Sequence, residues 1–319
     1  MKKFLLGLLC LILLGYGVAP AQAAWPEKSI QVIVPWNPGG GSDISARIVM
    51  DKVSAILGQP IVITNISGAA GLNGSTRVFG AKPDGYTILW EHPANLCAGP
   101  MLAKSKFRWT DFVMACSIGT SDNAIIVKKD SKYNTMADLF ADIKAHPGEK
   151  KWSYGVNAAS HFIFLAINEA IGGGLKILPI AGAGDKTRIV NVMGGVCDVT
   201  SAGYAAVVPY VQSGDVKILA MTGAERNPLA PNLSTLKDQG IKADSAFLYS
   251  AEFPANTPAD IVKRFSDAVK QAVEDPTVVE LLKKQGIVAK YRDAKETSEI
   301  FAREAALYER LAKANNMIK

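Results

Sequence analysis

Histidine is scarce in this 319-residue chain, and the three present, His92, His146 and His161, stand at no spacing that a metal site or a hydrolase requires. No HExxH pair and no Gly-x-Ser-x-Gly elbow occurs. Ser160 and His161 cannot serve as nucleophile and base, because neighbours at a helix start point in different directions. The Gly-rich stretch near residue 40 is followed by no Gly-Lys-Ser/Thr and no GxGxxG is present, which excludes a P-loop and a dinucleotide fingerprint. Cysteine is limited to Cys10, Cys97, Cys116 and Cys197, without a CxxC, so neither a zinc site nor a redox pair is indicated and no cofactor is expected. The net charge of +6 is spread along the chain with no basic block and no aromatic interleaving, which argues against nucleic acid. A mild positive balance suits an anionic solute. Solenoid repeats and low-complexity tracts are also lacking.

The one long apolar run is at the start. Met1-Lys2-Lys3 is followed by apolar residues from Phe4 to about Val18 and by the small residues Ala19 to Ala24, the pattern of a cleavable secretory leader spanning 1–23. A membrane anchor is disfavoured, since the run is short and no stop-transfer pattern follows. Leu9 stands before Cys10 where a lipoprotein would have a small residue, so Cys10 is expected to leave with the leader. Loss of Lys2 and Lys3 lowers the net charge to +4. The mature chain is expected in the periplasm, soluble and monomeric, with three cysteines that fit either one Cys97–Cys116 disulfide or buried free thiols.

Beyond the leader, strand and helix patterns alternate. Ile30 to Val34 reads as a buried strand and Ser42 to Leu57 as a helix, with Ser42 as its N-cap and Ile44, Ile48, Val49, Val53 and Ile56 on one face. Strands follow at 61–64 and 87–90. A second series begins near Asn123, with strands at 124–127, 152–154, 176–178, 196–200 and 216–221, and helices at 136–145, from Ser160, up to Met193 and at 205–212. This grammar predicts an α/β fold with a largely parallel sheet. Thr257-Pro258-Ala259-Asp260 reads as a capping-box helix start with Pro at N1, burying Ile261, Phe265, Val269 and Val273, and a last helix covers 295–314. A chain of this length exceeds one core. Two lobes are expected, 24–122 with 247–319 and 123–246, the terminal helices packing back on the first.

The strongest local motif is Pro35-Trp36-Asn37-Pro38-Gly39-Gly40-Gly41-Ser42-Asp43, between a strand and a helix start. Glycines and a helix N-terminus suit an anion site. A plain tight turn fits the same residues. The stretch from Ile33 through Asp43, with Ala46-Arg47, resembles the signature of the tripartite tricarboxylate transporter substrate-binding proteins, the Bug or TctC family. The resemblance continues through Leu57-Gly58-Gln59-Pro60, Gly68-Ala69-Ala70-Gly71, Pro83-Asp84-Gly85-Tyr86-Thr87, Ser160-His161, Gly194-Gly195 with Asp198, and Pro254 with Thr257-Pro258.

The resemblance implies a two-lobed, periplasmic binding protein-like (type II) fold whose cleft closes on a small carboxylate for delivery to the membrane subunits of a transporter. It implies one jaw at Trp36, Asn37, Gly40, Gly41, Ser42 and Asp43, and an opposite jaw at Asn157, Ser160, Gly182, Ala183 and Gly184. Asp43 is assigned to the helix's first turn, with a water-mediated contact to the solute by family analogy, and Arg47 to an ion pair. The chain departs from the family pattern at Trp36, Asn37 and Gly41, at Glu91-His92 after the third strand, at Ile180-Ala181 and at Gly203-Tyr204. His92 is a candidate contact because strand C-termini face the ligand in open sheets, and Trp36 and Tyr204 are candidates to stack on a planar solute or to pack the wall. Trp152 and Tyr154 read as core. The competing class is a periplasmic enzyme acting on a carboxylate with Glu91, His92 and Asp43 as acid-base groups. Chain crossings near Ser121–Asn123 and Phe247–Ser250 are the expected hinge.

Overall fold

The computed structural model describes residues 25–182 and 184–318. The expected leader 1–23, Cys10 with it, lies outside the described residues, as does Ala183.

The apolar run of β1 (Ile30–Val34) is buried at the centre of a parallel trio. It lies between β2 (Ile61–Asn65) and β3 (Thr87–Glu91), with Ile30 opposite Ile61 and Gln31 opposite Thr87. The crossovers are α1 (Gly41–Leu57) and α2 (Leu72–Phe79). Helix α1 stops where Gly58 turns left-handed (φ 71°) and returns its N–H to the Ser54 carbonyl, a conformation glycine adopts without a Cβ penalty. A short α3 (Gly99–Ala103) follows.

From there one strand carries the chain between the two halves. β4 (Phe112–Lys128) is 17 residues long and buried on both faces for most of its length. Its partners change midway. Phe112 to Asp122 pair antiparallel with β9 (Ala246–Pro254), down to Asp122 opposite Ala246, and Ser117 to Thr120 also pair with β10 (Val288–Arg292). From Asn123 the partners become β7 (Val199–Gly203) and β8 (Val216–Met221). β9 closes on β3, with Leu89 opposite Glu252. Beyond β7 the sheet continues in parallel through β5 (Lys151–Tyr154) to β6 (Leu178–Ala181), giving the order β2-β1-β3-β9-β4-β7-β5-β6. The second half carries α4 (Met136–Ala145), α5 (Ala159–Ala170), α6 (Asp185–Met193) and α7 (Tyr204–Gln212). The chain ends in α8 (Ala259–Glu274), α9 (Pro276–Lys284) and α10 (Ala294–Ala314).

Several sequence expectations need correction. The strand expected at 124–127 is the far end of β4, and the strands expected at 176–178 and 196–200 sit two to three residues later. Thr257 does not cap α8. Its hydroxyl closes a turn on the Pro254 carbonyl at 2.8 Å, and Pro258, in extended conformation, is itself the N-cap. Val262 takes the buried place expected of Ile261. The three remaining cysteines are free and buried, Cys97 and Cys116 in different apolar clusters.

Nor do the terminal helices all keep to the first half. Helix α8 does, laying Phe265, Val269 and Val273 against Val49 and Val53 of α1. Helix α10 instead touches both halves, with Phe301 beside Trp109 on one side and Tyr308 edge-on to Phe162 of α5 at 4.8 Å on the other. An Arg310–Glu169 ion pair extends that contact. Among the described residues no helix is long and apolar enough to cross a membrane.

Candidate functional site

The first jaw is the turn from β1 into α1. Asn37 to Gly41 are exposed, while Ser42 and Asp43 are buried. The helix begins one residue earlier than expected, with Gly40 as N-cap and no side-chain cap, so Ser42 is not the N-cap. Asp43 reaches back instead, accepting the Gly39 N–H at 2.9 Å, and it also accepts from Arg47 Nε and Asn65 Nδ2 at 3.0 Å each. Burial opposes its charge, but these bonds outweigh it and hold the carboxyl below the usual range. Both its oxygens are committed to the protein, and Arg47 is the ion-pair partner anticipated. The first-turn N–H groups of α1 have no intrahelical acceptor and meet the exposed glycines.

Gly41 is required here by packing. A Cβ on it would stand 2.6 Å from the hydroxyl of Tyr249, a buried β9 residue. Gly41→Ala is therefore expected to displace the jaw and weaken solute binding about tenfold or more, at a stability cost of about 1–2 kcal/mol. Adding Tyr249→Phe, which removes the obstructing oxygen, should recover part of the affinity in calorimetric titrations.

Beside this jaw stands the end of β3. Glu91 is fully buried and accepts from Trp36 Nε1 (3.0 Å), the His92 N–H (3.0 Å) and Asn95 Nδ2 (2.6 Å). His92 is buried too, its ring stacked on Trp36 at 5.3 Å and 13° and set edge-on to Phe247 at 5.0 Å. Burial pushes the His92 pKa down to about 3, so the ring is neutral. Its Nε2 lies 3.3 Å from Glu91 Oε1, and Nδ1 has no partner among the described residues.

The second half offers the C-terminal ends of three parallel strands. After β5, Gly155 donates to Ser160 Oγ at 2.9 Å, and Asn157 (φ 62°) donates its N–H to His161 Nδ1 at 3.3 Å. His161 lies flat on Tyr154. After β6, both backbone groups of Gly182 are used internally, the N–H on the Tyr154 carbonyl and the carbonyl by Arg188 Nη1. Gly184 is the exposed N-cap of α6. Arg188 is buried, donating also to the Ser201 carbonyl and pairing with Asp185, whose other oxygen accepts the Gly203 N–H at 3.1 Å.

Trp36, Gly41 and His92 thus gather around Tyr249 and Phe247. Gly40, Asn37, Gly184 and Asn157 present exposed backbone at helix starts, whereas Ser42, Asp43, Ser160 and Gly182 are buried supports. Tyr204 is not brought to them. From the first turn of α7 it faces the same way as Val208 and Val211, into a separate groove of about 510 Å³ shared with Lys129, Lys217 and Leu233. Sequence reasoning placed Phe247 and Tyr249 in a hinge rather than at the site, and missed Asn65, Asp185 and Arg188. Only the last two left a signal, an i, i+3 acid–base pair directly after a Gly-rich turn. Among the described residues no group of three or more His, Cys, Asp or Glu could hold a metal.

The geometry agrees with the relationships of the chain. Residues 45–317 match the family model described as "Tripartite tricarboxylate transporter family receptor", TctC. A UPF0065 protein of Agrobacterium vitis, from the TAR-I ttuE-ttuC' intergenic region, is 30% identical over 93% of this chain and 86% of its own length. Two solved Rhodopseudomonas palustris proteins share the fold at 23% identity. One, with adipate, has a TM-score of 0.82 over 91% of this chain and 98% of that one. The other, MatC with bound malate, has a TM-score of 0.77 over 89% and 100%. Two α/β lobes joined by crossing strands, a sheet of periplasmic binding protein type and a family match over most of its length together establish that the chain belongs to the TctC (Bug) family of tripartite tricarboxylate transporter receptors.

Proposed function

We propose that this protein is a periplasmic solute-binding receptor that captures a small carboxylate between its lobes, 24–122 with 247–319 and 123–246, and presents it to the membrane subunits of a tripartite tricarboxylate-type transporter. The observation that carries this reading is the pair of exposed, glycine-capped helix starts without side-chain caps, Gly40 before α1 and Gly184 before α6, one on each half of the sheet. Helix N-termini favour anions through unpaired N–H groups and the helix dipole. The nearby Arg47 and Arg188 are each neutralised by an aspartate, which leaves the carboxylate to backbone and neutral donors. The malate and adipate bound by the R. palustris relatives support the same ligand class.

Closure follows from differential contact. Only a solute that touches both jaws better in the closed form shifts the lobes toward it. The passage between lobes is at Asp122–Asn123 and at Ala246, where Thr222 ties the strands together, accepting the Asn123 N–H at 3.0 Å and donating to the Ser245 carbonyl. Calorimetric titration with mono- and dicarboxylates, mass analysis of the recovered ligand, and small-angle scattering with and without it test the proposal. A stabilising carboxylate recovered unaltered, with a smaller radius of gyration in the complex, is the expected result. Consumption of the ligand would favour an enzyme, and superimposable scattering profiles would rule out closure.

A further inference from the structure

Resting on the carboxylate-receptor reading, we infer that the solute carries a planar, unsaturated ring beside its carboxylate, and that Trp36 is the residue that selects it. Three rings run from the first jaw to the crossing strands. Trp36 stacks on His92 (5.3 Å, 13°), and His92 meets the edge of Phe247 (5.0 Å, 64°). Phe247 pairs with Ser121 in the segment of β4 that passes between the two halves, so the rings run from the first jaw to the crossing strands.

The Trp36 ring is held rather than free. Its indole N–H is bonded to Glu91 Oε1 at 3.0 Å, its carbonyl accepts Asn65 Nδ2 at 3.0 Å, and one face is occupied by His92. A side chain fixed this way loses little entropy when a second ring is laid against it. Trp36 remains partly exposed, directly before the exposed Asn37 to Gly41 backbone. The wall carries no charge, because burial keeps His92 neutral and the Trp36 N–H is already taken.

The opposite jaw matches it. Val156, in the loop between β5 and α5, is 62% exposed, the highest value among the exposed large hydrophobics of the described residues. An aliphatic side chain left in water on a binding loop gains by covering an apolar ligand body. A dicarboxylate chain bearing charge at both ends would instead set a carboxylate against Trp36 and Val156, neither of which offers it a free donor. The helix N-terminus therefore takes the carboxylate and the ring pair takes a flat apolar body.

Planarity is the testable property. Aromatic stacking contributes up to about 1.5 kcal/mol beyond buried area, on the order of tenfold in affinity. The purified protein would be titrated by calorimetry with benzoate and phenylacetate, with their saturated counterparts cyclohexanecarboxylate and cyclohexylacetate, and with malate and adipate. We expect the aromatic acids to bind about tenfold more tightly than the saturated-ring acids, and Trp36→Leu to bring the two classes to equal affinity. Should Trp36→Leu fail to fold, Trp36→Phe keeps a ring and should retain most of the preference, and quenching of wild-type tryptophan fluorescence by the aromatic acids alone gives an independent reading. Equal or tighter binding of the saturated-ring acids, or binding of malate or adipate with none of the aromatic acids, overturns the inference and leaves the carboxylate receptor standing. Binding of no carboxylate at all overturns both.

Discussion

Arg188→Ala should lower stability by about 3–5 kcal/mol and abolish solute binding, the largest single effect expected of any residue near the cleft. Arg188 is only 6% exposed, and burial alone pulls its pKa down while Asp185 opposes that shift. Its guanidinium holds three elements together. Nε donates to Ser201 on β7, Nη1 to Gly182 after β6, and Nη2 pairs with Asp185 at the start of α6. Alanine would leave the buried Gly182 carbonyl without its side-chain donor, the Ser201 carbonyl with only the Thr200 hydroxyl at 3.3 Å, and the partly exposed Asp185 carboxylate without its counter-charge. Gly182 packs directly on this side chain, since a Cβ there would fall 2.5 Å from Arg188 Cγ, so the turn would also lose its floor. Arg188→Lys keeps the charge but not the planar fork, and an intermediate loss is expected. Urea unfolding followed by circular dichroism, with calorimetry on the same samples, measures both effects. A variant within about 1 kcal/mol of wild type that still bound solute would show that the second jaw stands without this brace.

Legibility in the sequence tracked how local the determinants are. β1 and α4 were readable to the residue, because an apolar run of strand length and a Thr135–Asp138 capping box are complete within a few positions. β4 was not. Its middle, Ser117 to Asn123, is mostly polar and contains Gly119, yet most of it is buried, with Ser117 bonded by Thr297 and the Asn123 N–H by Thr222, partners far away in sequence. Gly119 itself is forced by the β10 backbone, whose Val288 carbonyl would lie 2.3 Å from a Cβ. No period-2 pattern survives when both faces of a strand are covered. The first jaw was legible because the glycines and the helix start are contiguous, but its floor, Tyr249, comes from a strand more than two hundred positions away. The direction of the Tyr204 side chain was not legible for a related reason. A residue that follows a strand end by one position stands at the cleft edge in sequence, while the direction of its side chain is set by the helix it begins.

The buried acid at the end of β3, Glu91, carries a cost that pH should expose. Burial pushes Glu91 up to about 8, although the Trp36, Asn95 and His92 N–H donors all favour its charged form. Two positions along the sheet, Glu252 is also fully buried and raised well above the usual range by the same desolvation, with Glu91 adding to it. The hydrogen bonds around Ser250 bear this out. Its single hydroxyl proton cannot serve both the Glu91 carbonyl at 3.1 Å and Glu252 Oε1 at 2.5 Å, so Glu252 must bring the second proton. In the unfolded chain both carboxyls lose their protons near the ordinary value of about 4.3, whereas in the folded protein they keep them to much higher pH. Above that ordinary value the native state binds more protons than the unfolded state, so stability falls as pH rises, by up to about 1.4 kcal/mol per unit for each group. For Glu91 this loss is absent below the unfolded pKa and complete once pH has passed about 8. Glu91 alone is therefore expected to lower stability by about 3–4 kcal/mol between pH 5 and pH 8 in urea unfolding, with Glu252 adding to the fall, opposite to the gain with pH that salt-bridged carboxylates confer. Glu252→Gln supplies an N–H to the Ser250 oxygen without a titrating proton, and should be close to neutral at pH 5, more stable than wild type at pH 8, and flatter in between. A wild-type profile that rose or stayed level across this window would mean that both acids are charged in the native core, and that the Trp36 and Asn95 donors dominate over burial.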